Sequence, residues 1–379
     1  MSSEKKNLIE EFLSGISDPR QGWKIRHNLT DIMIITICAV ICGTDTWEDI
    51  RNYAESKKEW LETFWELPNG IPSEDTFARV FSLINPKEFE QRFIEWMHAV
   101  AEETDGDIIP VDGKTLRRSY DEKSGKSAIH MVSAWSSVNG CVLGQVKTEE
   151  KSNEITAIPE LLKILDLHGC IVTIDAMGTQ KKIAEQIIEG GGDYLLAVKE
   201  NQKSLHEEIS IFFQDSIESD FENIDFSFFE ESDNGHGRSE HRKYWVVKDV
   251  SWLEMKDDWT GLKMLCMTES ERTVDGKTSS EQRFFIASKK MNAESFASAC
   301  RKHWSIENSL HWSLDVAFRE DECRIRKGFA SENLAVVRHI ALNLLKNEKT
   351  VRNGIKAKRL MAGWENNYLI KVLKTKFKN

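Results

Sequence analysis

A chain of 379 residues, 40% hydrophobic and 30% charged, can bury a sizeable core in two or three domains and has neither a disordered nor a fibrous composition. Seven scattered cysteines without a C-x-x-C pair point to reduced thiols in a cytoplasmic protein and away from a cysteine-built zinc site. The formal net charge of -11 argues against nucleic-acid binding only as a sum. Glu200 to Asp233 holds eleven acids against the single base Lys203, whereas Lys346 onward holds ten Lys/Arg against Glu348 and Glu365, an asymmetry that permits a basic track.

The first hundred residues carry apolar positions at helical spacing in DIMIITICAVICG and KEFEQRFIEWMHAVAEE, and Ser73 is placed to cap SEDTFARVFSLI. Cys38 and Cys42 share one helical face and are expected in the core. The apolar run from Ile32 to Cys42 is too short to span a bilayer, and MSSEKKNLIEEF has no signal-peptide core, so no membrane partner is expected. After Gly106 the pattern changes. IIPVDGKT, AIHMVSAWSS and CVLGQVKT predict three strands, the last two joined at Val138-Asn139-Gly140, a hairpin signal. NEITAIPELLKILDL predicts a helix with Pro159 near its first turn. CIVTIDAMGTQ predicts a strand, KKIAEQIIEGGGD a helix stopped by Gly190-Gly191-Gly192, and YLLAVKENQ another buried strand. This order predicts an α/β fold, a mixed sheet with helices on both faces. A strand-rich insertion is expected over about 213–288, then helices from Ala293 through His311 and from Ser331 to Leu345.

Asp112 follows IIPV and Asp175 follows IVTI, so two apolar strands each deliver a carboxylate at the end where ligands gather in α/β sheets. In RKHWSIENSLHWSLDV, His303, Glu307, His311 and Asp315 recur every fourth residue along one helix face. A glutamate on a mostly buried helix is costly without a cation, which makes Glu307 the natural third ligand. Three carboxylates with open water positions suit Mg2+ or Mn2+. A zinc site from His303 and His311 is the weaker alternative, because two turns separate them and helical zinc pairs stand four residues apart.

The runs VDGKTLR, EKSNEITAIPELL, TIDAMGTQ, GGDYLLAVKENQ, HGR, RKHWSIENSLHWSLDVAFREDECRIR and RHIALNLL, together with GISDPRQGWKIRHNLTDIMIITICAVI near the N-terminus, resemble the ISAs1 group of insertion-sequence transposases, relatives of H-repeat-associated proteins. The resemblance implies an N-terminal helical domain over 1–103, an RNase-H-like DDE core over 104–345 and a basic tail over 346–379. It implies that Asp112, Asp175 and Glu307 are the catalytic, metal-holding triad, for two divalent ions and two DNA partners, the element's terminal inverted repeats and the target. The wider group's Tyr, Arg, Glu, Lys signature is only partly met here, with Cys300, His303 and Leu314 at the Tyr, Arg and Lys positions. A homodimer assembled on DNA follows by analogy.

Candidate DNA contacts are Lys114, Arg117 and Arg118 after the first aspartate, and His236, Arg238 and Arg242 in HGRSEHR. Arg324, Arg326 and Lys327 follow the glutamate helix, and His303 and His311 can donate to phosphate. Trp304 and Trp245 are candidates to stack on an extruded base, with packing the competing role. Asp315, Glu320 and Asp321 are expected as solvated helix-end charges, with supplementing the metal site as the competing role. Two other classes fit less of the sequence: a catalytically silent, DNA-binding relative, and a small-molecule phosphohydrolase acting through the VDGKT aspartate.

Overall fold

The computed structural model of the chain describes residues 8–63, 65–100, 106–120, 127–148, 154–235 and 237–375. Helices α1 (Leu8–Ser14), α2 (Leu29–Ile41), α3 (Trp47–Ser56), α4 (Lys58–Leu61), α5 (Glu74–Leu83) and α6 (Pro86–Val100) come first. Strands β1 (Ile108–Leu116), β2 (Ile129–Ser136) and β3 (Cys141–Lys147) follow. Then α7 (Glu154–Ile164), β4 (Ile171–Ile174), α8 (Lys181–Glu189), β5 (Asp193–Val198) and α9 (Lys203–Glu218) alternate. Strands β6 (Phe226–Gly235), β7 (Arg238–Val247), β8 (Met264–Val274) and β9 (Lys277–Ala287) form the insertion. The chain ends in α10 (Ala293–Ile306), a π-helical segment (Glu307–His311), α11 (Trp312–Phe318), α12 (Ala330–Asn347), α13 (Ile355–Trp364) and α14 (Asn366–Leu373).

These elements form two compact units, one of residues 1–103, 113–151 and 307–379, the other of 104–112 and 152–306. The first unit is built on two helices that are apolar nearly all round. Eleven of the thirteen residues of α2 are buried, as are residues Ala330 to Leu345 of α12. Two buried asparagines of α12 are bonded: Asn333 Nδ2 donates to Phe81 O (2.8 Å) and Ile84 O (3.0 Å), and Asn343 both accepts from Val142 N (2.8 Å) and donates to Val142 O (2.9 Å). Ser73 caps α5 by accepting from Thr76 N. The β2–β3 hairpin turns where Asn139-Gly140 predicts, with Gly140 at φ +59°.

The expected basic tail is instead helical and partly inward-facing. Arg359 is buried on α13, where Nη2 and Nε donate to Val40 O at the end of α2 (2.7 and 3.2 Å) and Nη1 donates to Ala317 O at the end of α11. Lys358 donates to Leu345 O (3.0 Å) and to Glu348 O. Orphan carbonyls at helix C-termini attract cations, and these two charges satisfy carbonyls instead of facing a ligand.

In the second unit β1, β4 and β5 pair in parallel, and β9, β8, β7 and β6 extend the sheet antiparallel from β5. All four residues of β4 are buried, which explains its unbroken apolar text. The insertion is therefore a four-strand continuation of the sheet. Its strands begin at Phe226, because residues 213–218 complete α9. α10 covers the sheet through Ala293, Phe296, Ala297 and Cys300, packed with Tyr244, Met264 and Cys266. In α7 Pro159 sits at the sixth residue, deeper than expected. Parallel pairing of β1 with β4 and β5, with helices between the strands, is the mixed α/β arrangement of an RNase-H-like core.

Candidate active site

β1 and β4 match from Ile108↔Ile171 to Val111↔Ile174, so the next position in register sets Asp112 beside Asp175. Neighbouring strands run about 4.8 Å apart, close enough for two carboxylates to share a cation. Both residues are half-buried. β1 runs on to Leu116, so Asp112 lies within its strand and not at its end, as the sequence suggests. β4 does stop before its aspartate.

The turn after Asp175 is tightly specified. Asp175 Oδ1 accepts the N–H groups of Met177 (3.1 Å) and Gly178 (3.3 Å), a side-chain turn that fixes the carboxylate. A Cβ at Gly178 would stand 2.3 Å from Ile174 Cγ2 and 2.8 Å from Ile158 Cδ1, so only glycine fits. Thr179 Oγ1 donates to Ala197 O (2.6 Å), Asn201 Nδ2 to Ala176 O (2.6 Å) and Gln202 Nε2 to Thr179 O (3.0 Å). The Asn-Gln of YLLAVKENQ thus buttresses the loop of TIDAMGTQ, a supporting role not expected from the sequence. Asp175 Oδ2 takes no hydrogen bond among the described residues. Burial pushes the Asp175 carboxyl above its ordinary range, and the negative charge of Glu154 adds to this. Carboxylates carried by neighbouring parallel strands, one with an open oxygen, are the oxygen donors a hard divalent cation takes. Among the described residues no group of three or more His, Cys, Asp or Glu is gathered closely enough to hold a metal ion.

α10 is tied to β4 near its own end. His303 Nδ1 and Thr173 Oγ1 are 2.9 Å apart, and Thr173 lies two residues before Asp175. Burial pushes the His303 imidazole down to about 4, so it is neutral at physiological pH and contributes no positive charge toward phosphate. Glu307 follows Ile306 directly and opens the π-helical segment. The four-residue run of Glu307, His311 and Asp315 therefore passes through i→i+5 bonding and not through one regular α-helix. Glu307 is also exposed, not buried. The desolvation cost inferred from its neighbours therefore does not act on it. Trp304 is 42% exposed with the Arg283 guanidinium 4.6 Å over its ring, whereas Trp245 is buried against Phe228.

The basic candidates divide. Lys114 is enclosed, 2.5 Å from Asp315 Oδ1 and 2.9 Å from Glu320 Oε2, with a side chain only 10% exposed. Glu320 is accordingly buried, and not the solvated charge its sequence context suggests. Arg117 is exposed and reaches Asp321 (3.2 Å). Arg118 is exposed, and its carbonyl accepts from Arg326 Nε (2.9 Å), whose guanidinium covers the Tyr120 ring. Arg324 and Lys327 are exposed and His311 is half-buried. On β7, Arg238 is exposed, while Arg242 is held by Glu240 (2.7 Å) and Glu231 (3.6 Å). His236 lies outside the described residues.

Among the described residues no helix is long and apolar enough to cross a membrane. Residues 103–344 match the family model described as Transposase DDE domain, and residues 10–97 match the one described as DDE_Tnp_1-associated. The chain is similar to the H repeat-associated putative transposase YhhI of Escherichia coli K12, 45% identical over 376 residues that cover 98% of each chain. It is also similar to the putative transposase YncI of Escherichia coli O157:H7, 47% identical over 96% of this chain and 93% of YncI. Among solved structures it aligns with the piggyBac transposase synaptic complex with hairpin DNA, at 11% identity and TM-score 0.40, over 97% of this chain and 79% of that one.

Proposed function

Since the chain belongs to the Transposase DDE domain family, and is a transposase by that membership, we propose that it cleaves DNA at the ends of an insertion sequence and joins the freed 3′-hydroxyl to target DNA. The parallel pairing of β1 with β4, which ends at Val111↔Ile174 just before Asp112 and Asp175, carries this reading, because two carboxylates on neighbouring strands are what a shared metal centre requires. Asp112, Asp175 and Glu307 are the proposed catalytic carboxylates and the holders of Mg2+ or Mn2+. Two such ions, when bound, supply the positive charge that eases deprotonation of the attacking hydroxyl and offsets the charge built up at phosphorus and on the leaving oxygen.

The protein's own residues supply position. The Met177 and Gly178 amides fix the Asp175 carboxylate, and neutral His303 holds the end of α10 against Thr173. Exposed Arg117, Arg118, Arg324 and Lys327 are proposed to follow the DNA backbone, with Arg238 on the insertion and Arg326 braced on Tyr120. Trp304, exposed and backed by Arg283, is the proposed stacking platform for an unpaired base. The chain is proposed to act on the nucleoid of a bacterial cytoplasm, two copies assembling on paired element ends.

A silent, DNA-binding relative is the second reading, favoured by the lack of a gathered three-ligand group among the described residues. A nicking assay on element-end duplex with Mg2+ or Mn2+ decides between them. Metal-dependent cuts at the element boundary support the first reading, and binding without cuts in either metal leaves only the second.

A further inference from the structure

Lys114 stands two residues beyond Asp112 on β1, and positions two apart on a strand share a sheet face. A lysine so close to a catalytic aspartate invites the role of phosphate contact. Its surroundings assign it another. The ammonium is enclosed by Asp315 (2.5 Å) and Glu320 (2.9 Å), and Glu320, 2% exposed, also faces Arg338 at 3.5 Å. Two cations and two carboxylates thus balance inside the protein, and removing one leaves an uncompensated buried charge.

Asp315 lies on α11, immediately after the π-helical segment that Glu307 opens. The far end of α11 is held as well, since Ala317 O accepts from buried Arg359. A π-helical segment has poorer bonding than the α-helix on either side and needs external support to keep one geometry.

We propose that Lys114 is a positioning residue, locking α11, the helix that follows Glu307, to the C-terminal part of β1 through its ion pair with Asp315. This rests on the reading of Asp112 and Glu307 as catalytic carboxylates. A misplacement of 1 Å at a catalytic group can cost on the order of 100-fold in rate. The pair therefore acts on turnover and not on DNA affinity.

The test uses the full chain on element-end duplex with Mg2+. Cleavage by wild type and its loss in Asp112→Ala are established first, because failure there defeats the underlying reading and is seen separately. Lys114→Met, Lys114→Arg and Asp315→Asn are then compared by DNA affinity, single-turnover cleavage rate and amide exchange across residues 312–318. The expected result is affinity within about twofold of wild type and rates down roughly 10- to 100-fold in Lys114→Met and Asp315→Asn. Faster exchange in α11 accompanies the loss, and Lys114→Arg recovers part of the rate. Asp315 is an acid and cannot hold phosphate, so a rate loss there that comes with faster exchange in α11 and an unchanged Mg2+ dependence belongs to positioning. Should Lys114→Met fail to fold, Asp315→Asn decides by itself. Wild-type cleavage and exchange in Asp315→Asn overturn the proposal, as does weakened, less salt-dependent DNA binding in Lys114→Met.

Discussion

Asp112 and Asp175 occupy the first register position beyond four matched pairs of parallel strands, so their separation is set by backbone hydrogen bonding and not by side-chain choice. The Asp175 carboxylate braces its own local turn through the Met177 and Gly178 amides. Asp112→Ala, Asp175→Ala and Glu307→Ala are each expected to abolish metal-dependent cleavage while leaving the thermal midpoint within a few degrees of wild type and DNA binding intact. Asp175→Ala retaining Mg2+-dependent cleavage would remove Asp175 from the site.

Glu320 reports on the buried ion cluster. Burial by itself would raise its carboxyl, yet Lys114, Arg338 and His339 hold it down at about 2. A carboxyl depressed from its ordinary value near 4.5 adds stability that is present above about pH 4.5 and is lost as pH falls toward 2. Glu320→Gln leaves Lys114 and Arg338 short of a counter-charge and is expected to cost roughly 3–5 kcal/mol at pH 7. The gap between variant and wild type should narrow on acidification below pH 4.5. Urea titrations at several pH values check this, and a gap constant with pH would mean that the charge on Glu320 is not what stabilises.

The two strands that carry Asp112 and Asp175 were legible because strands buried on both faces print continuous apolar runs, as IIPV and IVTI do. The N-terminal helices were legible from the period of their apolar residues. Lys114 was not. Its partners lie 201 and 206 residues away, so nearby sequence offers only solvent or substrate as a home for its charge. The π-helical segment also leaves no mark in ENSLH, since i→i+5 bonding answers to the packing around it and four-residue spacing continues on paper. Arg359 and Lys358 looked like a basic tail because composition cannot tell a cation that caps carbonyls from one that meets phosphate.

Gly328 sets the entry to α12. Its φ of +55° belongs to the left-handed region, and a Cβ there would stand 2.4 Å from Ser82 O, a backbone atom that also accepts from Phe329 N. Gly328→Ala is therefore expected to lose roughly 2 kcal/mol or more, through strain and clash together. Gly22→Ala, with nothing within 4 Å and no left-handed φ, should stay within about 0.5 kcal/mol. Chemical denaturation of both proteins makes the comparison. Equal losses would show that the Ser82 contact yields freely.

His339 gives the chain a second acid-sensitive group, on the buried helix α12. It is 2% exposed, its Nδ1 has no hydrogen-bond partner among the described residues, and burial pushes its imidazole from 6.5 down to about 4, although Glu320 opposes the shift. The folded chain keeps this histidine neutral while the unfolded chain protonates it below about pH 6.5. Its stabilising contribution is thus complete above pH 6.5 and is lost progressively as pH falls toward 4. Between pH 7 and pH 5 the loss amounts to about 2 kcal/mol. Glu320 titrates lower and adds nothing in that window. Replacing the ring with a leucine removes both the proton uptake and the unsatisfied nitrogen, so His339→Leu is expected to match or exceed wild type at pH 5 and to show a shallower dependence from pH 7 to 5. Urea midpoints at pH 7, 6 and 5 measure it. Parallel slopes for the two proteins would place the proton uptake on another histidine, with His303, also pushed down to about 4, the next to replace.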